Sequence, residues 1–340
     1  MIFYIAGGTG GHLFPAIAIH QELQKKSLFI VPRKNPAEDI LMHYNIQPTI
    51  FSVSKKELIL FPGMILKALT LILKNKPTII IAMGGSVCVP FAILGWMLRI
   101  PVIAFEQNAL PGRAIRVVQF FSKKIITSFE STKHQLVMKR RVECWGNPVR
   151  SVYPNHDQFP EQWDQITGKT MLVIGGSQGA ESINKFITNN KNEWMNCGWN
   201  IIHLTGHKHF NDTKRQYIVE LNGGQIYVAM PFLINMNMAY KKATLVLCRA
   251  GATTLAEISG YQLPAILVPY PYAMDNHQMK NAVDFSVENK TVEIVEDARL
   301  DSSKVLDIME RLSLKTNSKV EPINNQTVKS ICEFIKTYLK

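Results

Sequence analysis

Read from the amino terminus, the chain alternates short, nearly wholly apolar runs with longer amphipathic stretches. Runs at residues 2–6, 28–31, 49–53, 78–82, 102–104 and 124–127 predict strands, with helical patterns such as 15–26 and 87–98 between them. The series restarts at 171–174 and continues through 201–204, 226–228, 245–247, 265–268 and 292–295. Strands apolar on both faces and separated by helices predict parallel sheets covered on both sides. Two such series predict an α/β chain of two doubly wound, Rossmann-like domains, divided near Asn147-Pro148-Val149. A weak internal repeat supports this. Ile5-Ala6-Gly7-Gly8-Thr9-Gly10-Gly11 and Ile174-Gly175-Gly176-Ser177-Gln178-Gly179-Ala180 each read as a strand running into a glycine turn and then a helix. A last amphipathic pattern, 325–339, is placed on neither domain by its periodicity.

Composition narrows the class. Lys and Arg total 38 against 26 Asp and Glu, a net charge of +12 over 340 residues. Such a balance favours anionic partners: nucleic acid, an acidic membrane or phosphorylated small molecules. No nucleic-acid module appears in the sequence. Five scattered cysteines without a CxxC pair argue against a disulfide framework or a structural zinc and suit a reducing compartment. Residues 58–73 and 87–105 are apolar, but Pro62, Gly63 and Lys67 interrupt the first and Arg99 and Pro101 the second. A spanning helix needs about 20 residues nearly without charge. The first basic residue is Lys25, so the start lacks the charged flank of an export signal. The expectation is a soluble chain.

The glycine turns are the candidate chemistry. Glycines between a strand and a helix let the backbone approach a ligand, and the helix start offers N–H groups to phosphate. Gly7-Gly8-Thr9-Gly10-Gly11-His12 is no Walker loop, because His12-Leu13 stands where Lys-Ser/Thr belongs. Nor does it match GxGxxG: Leu13 replaces the third glycine, and no acid follows the second strand, where Arg33 leaves only a slim NADP reading. His12 falls in the first turn of the helix, where the positive helix end keeps imidazole neutral, as a general base requires. In the second half, Gly175-Gly176-Ser177-Gln178-Gly179 can offer N–H groups and a hydroxyl to phosphate. Thr254 and Glu257 read equally well as a capping box or as contacts to a diphosphate and a ribose diol. Asp275-Asn276-His277-Gln278 suits sugar hydroxyls or a solvated helix start.

Taken in order, Gly7–His12 with Pro15, Glu106-Gln107-Asn108, Gly146-Asn147-Pro148-Val149-Arg150, Gly175–Ala180, Cys248-Arg249-Ala250-Gly251-Ala252 and Asp275–Gln278 resemble the MurG family across nearly the whole chain. The resemblance implies a GT-B fold, two Rossmann-like doubly wound parallel-sheet domains facing across a cleft. Residues 1–149 would form an acceptor and membrane-binding domain, onto which helix 325–340 returns, and 150–324 a UDP-GlcNAc-binding domain. The implied reaction is inverting transfer of N-acetylglucosamine from UDP-GlcNAc to the muramoyl C4 hydroxyl of lipid I. It gives lipid II and UDP for peptidoglycan and cell-wall synthesis, and hence for cell shape and division. The implied setting is the cytoplasmic face of the bacterial plasma membrane, as a peripheral protein. No cofactor is implied, and the chain has no Asp-x-Asp motif to hold a metal.

The same resemblance implies site residues. Thr9, Gly10 and Gly11 would lie beside donor and acceptor, Asn108 on the donor sugar, and Arg150, Ser177 and Gln178 on the diphosphate side. Leu233 would offer its backbone to uracil. Ala252, Thr253, Thr254, Leu255 and Ala256 would wrap the diphosphate and sugar, with Glu257 on the ribose and Gln278 on sugar hydroxyls. His12 is the candidate base, with Glu106 as substitute. Gly84, Gly85 and Ser86 would form the acceptor loop, although Ser86 stands where the family usually has Tyr, and the segment between Val53 and Leu66 is short. An anionic membrane would be met by residues 58–73 with Lys55, Lys56, Lys74 and Lys76, through Phe61, Met64, Ile65, Leu69 and Trp96. Two other readings remain: another UDP-sugar enzyme of this fold (a lipid glycosyltransferase or a UDP-GlcNAc epimerase), and a non-enzymatic nucleotide-binding or adaptor protein.

Overall fold

The computed structural model describes residues 1–33, 37–51, 61–151, 153–154, 157–176, 179–210, 217–315 and 326–339. The chain divides into two compact units, Met1–Val152 with Asn324–Lys340, and Tyr153–Ile323. The first unit runs β1 (Ile2–Ile5), α1 (Gly10–Leu23), β2 (Ser27–Val31), α2 (Ala37–His43), β3 (Pro48–Ile50), α3 (Phe61–Asn75), β4 (Ile79–Ala82), α4 (Cys88–Met97), β5 (Val102–Glu106), α5 (Arg113–Val118), β6 (Lys124–Thr127), α6 (Glu130–Lys133) and β7 (Val142–Cys144). The second runs β8 (Thr170–Ile174), α7 (Glu181–Asn196), β9 (Asn200–Leu204), β10 (Ile218–Asn222), β11 (Gln225–Met230), α8 (Met236–Tyr240), β12 (Leu245–Cys248), α9 (Ala252–Tyr261), β13 (Ala265–Leu267), α10 (His277–Glu288), β14 (Val292–Ile294) and α11 (Ser302–Ser313). The last helix, α12 (Gln326–Lys336), belongs to the first unit.

Alternation along each strand feeds two cores. In β1, Ile2 and Tyr4 join the buried cluster under α1 and α12, while Phe3 and Ile5 join the one under α3, α4 and α5. This is the two-residue period of a strand covered on both faces. Val328, Ile331, Cys332 and Ile335 of α12 are all buried in the first cluster, at helical spacing. Burying an aliphatic side chain of this kind contributes roughly 1.5–3 kcal/mol, which is enough to fix so short a helix. In the second unit, Met171, Val173, Trp194, Trp199, Ile308 and Met309 centre a comparable cluster.

The first sheet has the order β3-β2-β1-β4-β5-β6-β7, and every pairing is parallel. The second has the order β10-β11-β9-β8-β12-β13-β14. Its parallel strands repeat the doubly wound order, with β8 and β12 in the places of β1 and β4. The strand order therefore reverses between β1 and β4 and again between β8 and β12, the switch points at which such sheets bind ligands.

Strand β10 departs from the expected parallel pattern. It pairs antiparallel with β11 through Gly223 and Gly224, both at positive φ. A two-residue glycine loop is the chemistry of a tight hairpin. Helix α1 begins at Gly10, earlier than the apolar periodicity predicts, so Gly10, Gly11 and His12 form its first turn.

Candidate functional site

In the first unit, three loops meet at the carboxyl ends of β1, β4 and β5. Thr9 takes extended backbone angles at the start of α1, and its carbonyl accepts from the N–H groups of His12 and Leu13. The His12 ring lies between Gly7 and Gly84. A Cβ on Gly7 would stand 2.5 Å from Nδ1, and one on Gly84 2.7 Å from both Cδ2 and Nε2. Gly84 and Gly85 take positive φ, and a Cβ on Gly85 would press on Gly7 Cα at 2.9 Å. Only glycine lets the two backbones close on the imidazole in this way. The Cys88 thiol bridges the loops, within 3.3 Å of the Ile5 carbonyl and 3.1 Å of the Gly84 carbonyl, and accepts from Gly84 N–H.

The enclosure sets the electrostatics. Burial lowers the His12 imidazole from its usual 6.5 to about 4. The ring is thus neutral, as expected from the sequence, but loss of solvent is the cause, not the helix end. Thr9 Oγ1 lies 3.4 Å from His12 Nδ1 on the exposed side. Ser86 is exposed, beside Gly85.

Glu106, 3% exposed at the end of β5, has both oxygens engaged. Oε1 accepts from Asn108 N–H at 2.9 Å and from the Asn108 amide at 3.3 Å; Oε2 accepts from Gly112 N–H at 2.7 Å. Burial raises its pKa, and these hydrogen bonds oppose the rise. Gln107 donates to the Met83 carbonyl at 3.0 Å, tying the β5 loop to the Gly84 loop. Glu106 therefore shapes the segment that presents Asn108. Arg150 is also buried in this unit, its guanidinium 3.7 Å over the Phe14 ring and Nη1 donating to the Tyr44 hydroxyl at 2.8 Å.

In the second unit, the loops after β8 and β12 border a pocket of about 840 Å³. It gathers the expected Gly175, Gly176, Gly179, Thr254 and Gln278 with residues that the sequence did not mark, among them Lys208, Tyr272 and Asp297. Arg249 sits at its base, 8% exposed. Its Nη1 meets Asp297 at 2.6 Å and the carbonyls of Val268 and Pro269, and Nη2 donates to Ser182 Oγ at 2.8 Å. One guanidinium thus ties together four segments around the pocket. The Gln278 carboxamide oxygen accepts from Tyr270 N–H at 3.0 Å, which leaves its NH2 as the donor side. Ser177 and Gln178 lie outside the described residues.

Other expected contacts lie apart from this pocket. Helix α9 is capped by Gly251, so Thr254 is its third residue and the capping-box reading of Thr254 and Glu257 fails. Glu257 is buried and accepts from the Tyr240 hydroxyl at 2.9 Å. Ala252 and Leu255 are buried, whereas Thr253 and Ala256 are half-buried. Leu233 is buried, in the loop where Asp157 accepts the N–H groups of Ile234 and Asn235.

A buried polar network braces the pocket from behind. The Asn184 amide donates to the Thr205 carbonyl at 2.8 Å, so its oxygen must accept from His203 Nε2–H at 2.9 Å. His203 Nδ1 then accepts from the Tyr227 hydroxyl at 3.0 Å. Burial takes His203 from the usual 6.5 to about 3. A Cβ on Gly179, at φ +76, would collide with the Thr205 carbonyl, so the glycine turn fits directly against this braced segment.

Comparison with known proteins identifies the family and the fold. The glycosyltransferase family 28 N-terminal domain matches residues 2–127, and the family 28 C-terminal domain matches 170–338. A UDP-N-acetylglucosamine–N-acetylmuramyl-(pentapeptide) pyrophosphoryl-undecaprenol N-acetylglucosamine transferase of Halothermothrix orenii is 34% identical over 92% of this chain and 90% of its own. Among solved structures, MurG of Acinetobacter baumannii superposes with a TM-score of 0.68 over 99% of both chains at 21% identity. The UDP-GlcNAc 2-epimerase of Methanocaldococcus jannaschii also reaches 0.68, at 16% identity, over 99% of this chain and all of its own. The two likenesses establish the GT-B fold and do not separate a transferase from an epimerase; the sequence relationship does. The chain belongs to glycosyltransferase family 28 and, within it, to the MurG family of N-acetylglucosamine transferases.

Proposed function

We propose that the chain transfers N-acetylglucosamine from UDP-GlcNAc to the muramoyl C4 hydroxyl of lipid I, with His12 as general base and the second unit holding the donor. The observation that carries the chemistry is the neutral imidazole clamped between Gly7 and Gly84 at the switch point of the first sheet. A neutral ring held between two backbone segments accepts a proton from a group brought to its accessible side. We place the acceptor on the Nδ1 side, where the Thr9 hydroxyl lies 3.4 Å from that nitrogen. In the transfer, the acceptor O–H gives its proton to Nδ1 and its oxygen bonds to the sugar C1. The C1–O bond to the β-phosphate breaks on the opposite side, and its electron pair leaves with UDP. Glu106 positions Asn108, because both of its oxygens already accept hydrogen bonds.

The donor reading of the second unit rests on a glycine turn and the start of α9 bordering one pocket, since a helix start offers free N–H groups to phosphate. Gln278 offers its NH2 to a sugar oxygen. Substrate attached to a polyprenyl diphosphate brings the enzyme to the cytoplasmic membrane surface. No described helix is long and apolar enough to cross a membrane. Helix α3 instead buries Met64, Ala68 and Ile72 and turns Leu66 (64% exposed) and Leu73 outward, next to Lys67 and Lys74. Trp96, 61% exposed at the end of α4, extends the apolar surface. Such a face suits an anionic lipid surface. Lys55 and Lys56 lie outside the described residues.

A radiolabel transfer assay offering UDP-GlcNAc or UDP-Glc to a short-chain lipid I analogue tests the reading. Label should enter lipid only from UDP-GlcNAc and only when the acceptor is present. A new hexosamine released from UDP-GlcNAc without acceptor would establish the epimerase reading instead.

A further inference from the structure

The donor pocket needs positive charge where UDP departs, and most of the charge around it is already spent. Lys185, Lys208 and Arg249 line it. Arg249 is paired with Asp297 at 2.6 Å, and Lys185 Nζ stands 2.7 Å from Glu181. Glu181 also sits in the first turn of α7, where its charge offsets the positive helix end, whereas the first turn of α9 carries no acid. Among the described residues, Lys208 is the lysine or arginine of the pocket wall with no carboxylate at ion-pair distance.

Its backbone is held firmly although its side chain is exposed. Lys208 lies in the 3-10 turn His207–His209, which His209 N–H closes onto the Gly206 carbonyl at 3.1 Å. The preceding Thr205 is fixed by Asn184, which is itself fixed by His203. Gly179 packs against both Thr205 and His209, so the turn cannot move without the glycine loop that faces the pocket. A long lysine stem on such a mount can deliver a mobile point charge to an anion in the pocket.

Resting on the donor reading above, we propose that Lys208 is a catalytic residue. Its ammonium contacts the donor diphosphate and stabilises the negative charge that collects on the β-phosphate oxygen as the C1–O bond breaks. The electron pair stays with UDP, no proton moves to or from Lys208, and its charge strengthens the contact as the leaving group forms.

Titration calorimetry of UDP, UMP and uridine on the full chain, alongside transfer kinetics, tests this assignment. Hydrogen bonds to charged groups contribute about 1.5–3 kcal/mol, so Lys208→Met should weaken UDP binding roughly 10- to 100-fold. Uridine affinity should be unchanged, kcat should fall, and UDP binding should lose much of its salt dependence. Lys208→Arg should restore most of the UDP affinity. Lys208→Met binding UDP within about twofold of the unaltered protein would overturn the proposal, as would an equal loss from Lys185→Met, whose charge is already paired. Failure of the unaltered protein to bind UDP would instead remove the donor reading beneath it.

Discussion

The two switch points share one topology and are put to opposite electrostatic use. In the first unit, the glycine turns after β1 and β4 close on each other and leave room for one neutral imidazole. In the second, the equivalent turns after β8 and β12 stand apart and border an open pocket with Lys185, Lys208 and Arg249 in its walls. Backbone glycine serves both, by close approach in one case and by exposing N–H groups in the other. The difference lies in what fills the space. His12 follows its glycines directly, whereas Gly179 is followed by Ala180, which is buried in the core. On the proposed reading, the duplicated architecture divides labour, a proton acceptor in one unit and an anion site in the other.

Disturbing either side sharpens the comparison. Among changes that leave His12 in place, the largest effect should come from Gly84→Ala, whose methyl group would have to displace the imidazole. Misplacement of a reacting group by about 1 Å costs roughly 100-fold, so kcat should fall by that order while UDP affinity holds. Unchanged kcat would mean that the position of the imidazole is immaterial. The mirror change, Gly179→Ala, adds strain at positive φ, of about 1–3 kcal/mol, and pushes on Thr205. It should raise the KM for UDP-GlcNAc about tenfold or more with a smaller change in kcat; a pure kcat effect would reverse the division of roles.

Glu106→Gln should cost less than either. It keeps an acceptor for Asn108 but turns an amide donor toward Gly112 N–H. Activity should fall about tenfold or less, the worth of one misdirected hydrogen bond, and the acid limb of the pH profile should stay in place. Loss of that limb would make Glu106 the base.

The last effect concerns stability and leaves turnover aside. His203 takes a proton below 6.5 in the unfolded chain and only near 3 when folded. Between those values the unfolded state binds the extra proton, so stability falls as pH falls, by about 1.4 kcal/mol per unit. Urea midpoints of His203→Gln measured from pH 6.5 to 4 should show a slope shallower by one proton. An unaltered slope would contradict the buried, neutral assignment.

Much of this was legible before any coordinates. Fully buried parallel strands announce themselves as apolar runs, and the runs at 78–82, 102–104 and 171–174 fall on β4, β5 and β8. The glycine turns and His12 stood out because four glycines beside a histidine exceed what packing requires. Strand β10 escaped because an edge strand with exposed Glu220 and Leu221 lacks such a run, although Gly223-Gly224 signalled a hairpin. Arg249 and Asp297 are 48 residues apart, and only the meeting of four loops makes them partners. His203 did leave a trace. A histidine inside Ile201-Ile202-His203-Leu204 is a polar group in a buried strand and must be hydrogen-bonded. Lys208 left none, since a lysine in a polar turn has no pattern to break. In the first unit, the neutrality of His12 was legible but its origin was not, because enclosure by Gly84 depends on contact between residues far apart in sequence.

The most direct test of the division of labour pairs two readings on one variant, His12→Ala: radiolabel transfer to a lipid I analogue, and equilibrium binding of UDP. Removal of a general base typically costs about 10²–10⁴ in rate, so turnover should fall by that factor while UDP affinity stays at the level of the unaltered protein. Full turnover in the variant, or a loss of UDP affinity that matches the loss of turnover, would contradict the account.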